Sequence, residues 1–145
     1  MKRLVLGTAL AAAAIGAFSL MQPADTDRTD PRADAALEGD AMVAVLIPAS
    51  FSPAEQMGKR GFDAACAACH GANARGRQGV APPLVHKIYE PGHHGDAAFI
   101  LAAQNGVRAH HWRFGDMPPV AGVTRADVLN IVAYVRALQR ENGIN

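Results

Sequence analysis

Cys66-Ala67-Ala68-Cys69-His70 places two thiols and an imidazole within one short segment. The C-x-x-C-H pattern reads as the attachment site of a c-type haem. Two cysteines three residues apart on a helical turn can each add to one vinyl group of a porphyrin, forming two thioethers. The adjacent histidine then lies under the iron, where a ring nitrogen can ligate it. A bare C-x-x-C could instead be a redox dithiol or half of a zinc site. The chain has only 2 cysteines, so a four-thiolate zinc site cannot be completed. A zinc site finished by histidines and a thioredoxin-like dithiol stay open. The dithiol needs a βαβ framework, and the sequence carries no such pattern.

The flanking sequence predicts the helices that would hold this motif. Ser52-Pro53-Ala54-Glu55 combines a capping serine, a proline suited to the first helical position and a glutamate that closes a capping box. The helix is expected to run from Pro53 into the haem motif. Gly58, Phe62 and Cys66 follow at four-residue steps and share one face. Gly58 costs roughly 1 kcal/mol of helix propensity against alanine, which a close helix crossing would explain. Thr124-Arg125-Ala126-Asp127 is a second capping-box start. Val128, Ile131, Val132, Val135 and Leu138 then recur at helical spacing, with Tyr134 in reach of the stripe. Arg136, Gln139 and Arg140 are expected largely on the other face, and Gly143 suits a C-terminal cap. A third helix is predicted from Asp96 to Gln104, with Phe99, Ile100 and Ala103 inward and Gly106 ending it. No strand has a convincing alternation, so the fold class is all-α.

Gly115-Asp116-Met117-Pro118-Pro119 is a loop by composition. Methionine is normally a core filler, so one in a polar, proline-braced loop downstream of C-x-x-C-H is a candidate axial ligand. A thioether is neutral and soft, and a His/Met pair fills both axial positions and raises the reduction potential. Met1 and Met21 belong to the N-terminal apolar region, Met42 follows an acidic stretch, and Met57 lies on the helix leading into the thiols.

These residues together resemble a class I (mitochondrial-type) cytochrome c domain. The resemblance covers residues 52–142 and rests on an ordered set. Gly58, Phe62 and Cys66 lead into Cys69-His70, then come Ala81-Pro82-Pro83-Leu84, Met117-Pro118, and the last helix with Ile131 and Tyr134. It implies three main helices plus loops wrapped around one covalent haem c. It also implies that the backbone carbonyl of Pro82 or Pro83 accepts the His70 ring N–H, and that Leu84 packs on the haem. His70 and Met117 would be the iron ligands, and Gly58 and Phe62 would cross Ile131 and Tyr134. Alanine stands before the prolines where the family often has glycine.

The 145 residues divide by composition. Residues 1–24 read as an export signal or N-terminal membrane anchor. Lys2 and Arg3 precede an uncharged run of 18 residues, Leu4 to Met21, longer than a usual signal core and near the minimum for a membrane span. An uncleaved anchor is slightly favoured, with the basic end in the cytoplasm and the rest on the periplasmic side. Residues 25–51 form an acidic tether and a short apolar segment. Positions 25–40 carry six acids against two arginines, too polar to offset their ordering entropy. Residues 41–51, AMVAVLIPASF, are expected as a strand or extended piece lying on the domain, or as a membrane or partner contact. Residues 52–145 are expected to be the domain that resembles cytochrome c, with ten Lys/Arg against seven Asp/Glu. That modest positive charge could favour an acidic redox partner or be an ordinary soluble surface. No phosphate loop or basic stripe points to nucleotide or nucleic acid.

Five histidines stay unassigned: His86, His93-His94 and His110-His111. The pairs suit copper or zinc, could lie on the surface, or could supply His110 or His111 in place of Met117. Trp112 and Arg113 could donate to a haem propionate. The expectation is an exported monohaem electron carrier, not an enzyme, that serves redox protein partners. A fixed electron-relay subunit of a larger oxidoreductase and a haem enzyme or gas sensor with a labile distal ligand are the rivals.

Overall fold

Two local signals set both long helices. The structure, a computed structural model, describes residues 39–145. The expectations for the signal or anchor and for most of the acidic tether fall outside the described residues. Helix α1 (Pro53–Ala65) starts at the predicted capping box. The Glu55 N–H donates to Ser52 Oγ at 3.3 Å, and the Ser52 N–H donates to Glu55 Oε2 at 2.8 Å. The same reciprocal geometry opens α4 (Arg125–Glu141). There the Asp127 N–H reaches Thr124 Oγ1 at 3.2 Å and the Thr124 N–H reaches Asp127 Oδ2 at 2.9 Å. Each pair satisfies donors that a helix start leaves without partners.

Between them lie α2 (Ala67–His70), short 3₁₀ turns at Ala72–Ala74 and Lys87–Tyr89, and α3 (Asp96–Asn105). Helix α1 does not pass smoothly into the thiol motif: it stops at Cys66, and α2 continues for one turn. The Cys66 carbonyl there accepts from both the Cys69 and His70 N–H groups, at 3.1 and 2.9 Å. Helix α3 ends at Gly106, which has φ 74°. Gly143 closes α4 in a Schellman motif: the Ile144 N–H reaches the Gln139 carbonyl at 2.9 Å and the Gly143 N–H the Arg140 carbonyl at 3.1 Å. Among the described residues there are helices, turns and two isolated bridges, and no strand. The all-α expectation holds.

The core forms where α1 crosses α4. Phe62, Ile131, Tyr134, Val135 and Leu138 are buried in one cluster with Ala74 and Val85. The Tyr134 ring lies 5.7 Å from Phe62 and 5.3 Å from Phe51, in tilted arrangements that suit aromatic quadrupoles. A second cluster of Ile100, Val128 and Val132 joins α3 to α4. Phe99 and Ala103 pack against it, as the predicted inward face of α3 requires.

Residues 39–51, assigned to the tether and apolar segment by composition, are part of this packing. Val45 and Phe51 sit against the main core. The Met42 and Val43 N–H groups donate to the Arg75 carbonyl, and Gly39 and Asp40 exchange backbone hydrogen bonds with Gln78. Asn142 accepts from the Leu46 N–H at 2.9 Å and donates to its carbonyl at 2.8 Å. The segment is the extended piece lying on the domain.

The expectation for the outer face of α4 needs correction. Arg136 and Gln139 are buried, at 7% and 0% exposure. Arg136 donates to Asp96 Oδ1 at 2.9 Å, to the carbonyls of Tyr89 and His94 at 2.6 Å each, and to Gln139 Oε1 at 2.6 Å. Gln139 in turn donates to the Leu84 and Tyr89 carbonyls at 2.8 and 3.0 Å. The loops between the helices carry carbonyls that no helix satisfies, and these two polar side chains supply the donors. Arg140 is exposed and pairs with Glu55 at 3.0 Å.

Candidate functional site

His70 ends α2 and is buried. Its Nδ1 lies 2.8 Å from the Pro82 carbonyl oxygen. A carbonyl can only accept, so Nδ1 carries the proton and Nε2 keeps a lone pair. That is the tautomer a metal-binding histidine needs, held by the kind of outer partner that orients such ligands. Burial lowers the His70 pKa from its ordinary value, and the Pro82 carbonyl partly offsets this by raising it. The imidazole is therefore neutral at pH 7.

Two glycines let the proline loop reach the histidine. The Gly76 N–H donates to the His70 carbonyl at 2.7 Å. With φ +75°, Gly76 sits so close to Pro83 that a β-carbon would lie 2.6 Å from the proline nitrogen. Gly71, with φ +74°, would meet the Gly76 carbonyl oxygen at 2.7 Å. Leu84 follows with its N–H on the Ala74 carbonyl and its side chain against the main core.

Cys66 and Cys69 are free thiols one turn apart, the first half-buried and the second exposed. Burial, then the neighbouring Cys69, pushes the Cys66 thiol up to about 11, so it is protonated at neutral pH. Two thiols and an oriented neutral imidazole on one turn fit thioether attachment plus a nitrogen ligand. Among the described residues, Cys66, Cys69 and His70 do not form a cluster of converging ligand atoms of the kind a zinc site requires.

Met117 arrives on a separate segment. Its N–H and carbonyl exchange hydrogen bonds with Val107, both at 2.9 Å, so the methionine backbone is fixed to the end of α3. Gly106 makes this approach feasible: a β-carbon there would overlap the Met117 carbonyl oxygen and lie 3.1 Å from Pro119. The Asp116 carboxylate closes the intervening loop by accepting the Ala109 N–H at 2.8 Å.

A model of the cytochrome c family matches residues 56–139. The chain belongs to the cytochrome c family. No curated protein matches it. Membership makes it a haem-binding electron-transfer protein, with haem c held covalently at the C-x-x-C-H motif of the family. In a cytochrome c fold the α1–α4 crossing is the frame of the haem-bearing turn. Here Gly58 approaches so closely that a β-carbon would fall inside the Asn130 carbonyl, 2.5 Å from its carbon.

The loops contain contacts that sequence reasoning did not supply. The Trp112 indole N–H, one candidate for a propionate donor, reaches Tyr89 Oη at 3.1 Å. Its ring stacks 5.8 Å from Phe114 and meets His86 edge-on at 5.3 Å. Arg113 is exposed. Tyr134 donates its hydroxyl to Asn73 Oδ1 at 2.9 Å, tying α4 to the turn just after His70. Asn73 has φ 54°, a conformation that asparagine tolerates better than most residues. The two histidine pairs, read separately in the sequence, come together: His93 Nε2 lies 3.2 Å from His111 Nε2.

Proposed function

We propose that the domain is an exported monohaem electron carrier with His70 and Met117 as iron ligands and Cys66 and Cys69 as the thioether positions. The observation that carries this reading is the His70–Pro82 hydrogen bond, which leaves Nε2 free for iron on the turn that bears both thiols. Bound haem supplies the one-electron chemistry. The chain's own part is to orient His70 through Pro82, to fix the Met117 backbone through Val107, and to pack Leu84 on the macrocycle. Two anchored ligand segments change little between oxidation states, which favours fast electron exchange with redox protein partners and leaves no open iron position for substrate turnover. Val45 and Phe51 are used inside the domain, which favours a free carrier over a subunit held through that segment.

The oxidised protein is expected to show the methionine-to-iron charge-transfer band and to exclude carbon monoxide in the reduced state at neutral pH. Met117→Ala removes the band and admits carbon monoxide. A wild-type spectrum without the band, or a Met117→Ala spectrum identical to wild type, overturns the ligand assignment. The intact mass of the mature chain reports haem attachment and the fate of Leu4–Met21 together. Export is tested by the same mass measured on periplasmic and membrane fractions.

A further inference from the structure

Four histidine rings gather beside the Trp112–Tyr89 contact, from two segments separated in sequence. His93 and His94 precede α3, and His110 and His111 lie in the loop that Val107 and Met117 close. Ring centroids are 4.7 Å apart for His93–His94, 5.1 Å for His93–His111, 5.2 Å for His94–His111 and 4.3 Å for His110–His111. One ring nitrogen from each of His93, His94 and His111 lies within 4.8 Å of the others. We propose that these three imidazoles bind one divalent late first-row metal ion of the zinc or copper class, at a site separate from the haem motif.

The hydrogen bonds define which atoms are available. His94 Nδ1 lies 2.7 Å from the Ile88 carbonyl oxygen. That bond places the proton on Nδ1 and leaves the Nε2 lone pair for a metal, the arrangement that second-shell carbonyls impose on ligating histidines. His94 is further braced because its own carbonyl accepts from buried Arg136 at 2.6 Å. One ligand is thus pre-oriented on a rigid base. His93 and His111 are exposed and free to adjust their rotamers, and their Nε2 atoms already stand 3.2 Å apart.

Geometry and donor type select the ion. Zinc–imidazole bonds of about 2.0–2.1 Å put tetrahedral ligand nitrogens about 3.3 Å apart. The His93–His111 separation of 3.2 Å meets that edge, and the ligand atoms of all three lie within 4.8 Å of one another. All three donors are imidazole nitrogens, which suit zinc and copper; calcium and magnesium take oxygen ligands. Three protein ligands leave the fourth position open to water or an exogenous group. His110 flanks the site, with its Nδ1 2.9 Å from the Arg108 carbonyl oxygen. A bound ion would staple the turn before α3 to the loop ending at Met117.

The test uses the full-length, haem-loaded protein, stripped of adventitious metal with a chelator and titrated with Zn²⁺ alone in a calorimeter. Wild type is expected to saturate at one equivalent. His93→Ala and His111→Ala are each expected to weaken binding by about tenfold or more, with the haem absorption spectrum unchanged as the check on folding. X-ray absorption of the zinc-loaded protein is expected to show imidazole scattering. Absence of saturable binding in wild type overturns the site. So does binding that survives both substitutions, the result expected if the acidic residues 25–40 hold the ion instead. Co²⁺ in place of Zn²⁺ gives a second readout, with tetrahedral d–d bands in wild type that both variants lose.

Discussion

Gly58 and Asn130 meet backbone to backbone: a β-carbon on Gly58 would lie 2.5 Å from the Asn130 carbonyl carbon and 3.0 Å from Tyr134 Cβ. The crossing of α1 over α4 is therefore set by the absence of a side chain. Gly58→Ala should gain about 1 kcal/mol of helix propensity if the contact were loose. With the overlap present, the helices must separate, and the variant is expected to lose about 3 kcal/mol net, in the range of overpacked cores. Guanidinium unfolding of the haem-loaded variant measures it, and a stabilised protein would refute the close crossing.

Arg136 satisfies two loop carbonyls and two side chains from a buried position. Asp96 is largely exposed and rehydrates easily when its partner is lost, and the Tyr89 carbonyl keeps its bond from Gln139, so the main cost falls on the His94 carbonyl and on Gln139 Oε1. Arg136→Met should destabilise by about 3 kcal/mol, since each orphaned buried acceptor costs about 1–3 kcal/mol. Arg136→Lys should recover less than half of that, because an ammonium cannot reproduce the planar fork. Denaturant midpoints of the three proteins give the ranking.

Tyr134→Phe keeps both ring contacts and removes only the hydroxyl that holds Asn73. The expected loss is about 1 kcal/mol, the usual net value of one hydrogen bond. Asn73→Ala should cost more, because alanine is poorly suited to φ 54°. A double-mutant cycle by thermal melts separates the shared hydrogen bond from the backbone effect.

Hydrogen bonds from the Thr124 side chain and then its backbone hold the Asp127 carboxyl below its ordinary 3.8, with slight desolvation opposing them. The folded state thus binds this proton less readily than the unfolded chain. The stabilisation is fully present above the ordinary value and disappears as pH falls through the depressed one. Thr124→Ala should be less stable than wild type at pH 6, and the gap should narrow as pH falls below about 4. Paired denaturation curves at pH 6 and pH 3 test this, and a gap that widens in acid would reverse the assignment.

Local signals carried the reading of the helices. Ser52 with Glu55 and Thr124 with Asp127 lie three residues apart, and each capping box forms as expected. Gly58 was legible because a glycine inside an apolar face needs a reason. The orientation of His70 by Pro82 came through family resemblance, and the structure places that bond on Pro82. Contacts between distant segments were not legible. Tyr134 and Asn73 are 61 residues apart, and Arg136 reaches partners 40 to 47 residues away. A signal for the buried pair did exist. Arg136 stands four residues after Val132, and Gln139 four after Val135, so both lie on apolar columns of α4. Their polarity argued for solvent, and the carbonyl-rich loops they cap could not be located from sequence.

The strap at residues 39–43 has a mechanical consequence. A pull on the chain from its N-terminal side is met first by the backbone hydrogen bonds to Arg75 and Gln78, and then by the Leu46–Asn142 clasp. Load reaches α1, and the thiol-bearing turn beyond it, only after those fasteners have opened. Tension from a tether would thus be absorbed at the rim of the fold while the redox-bearing turn stays in register.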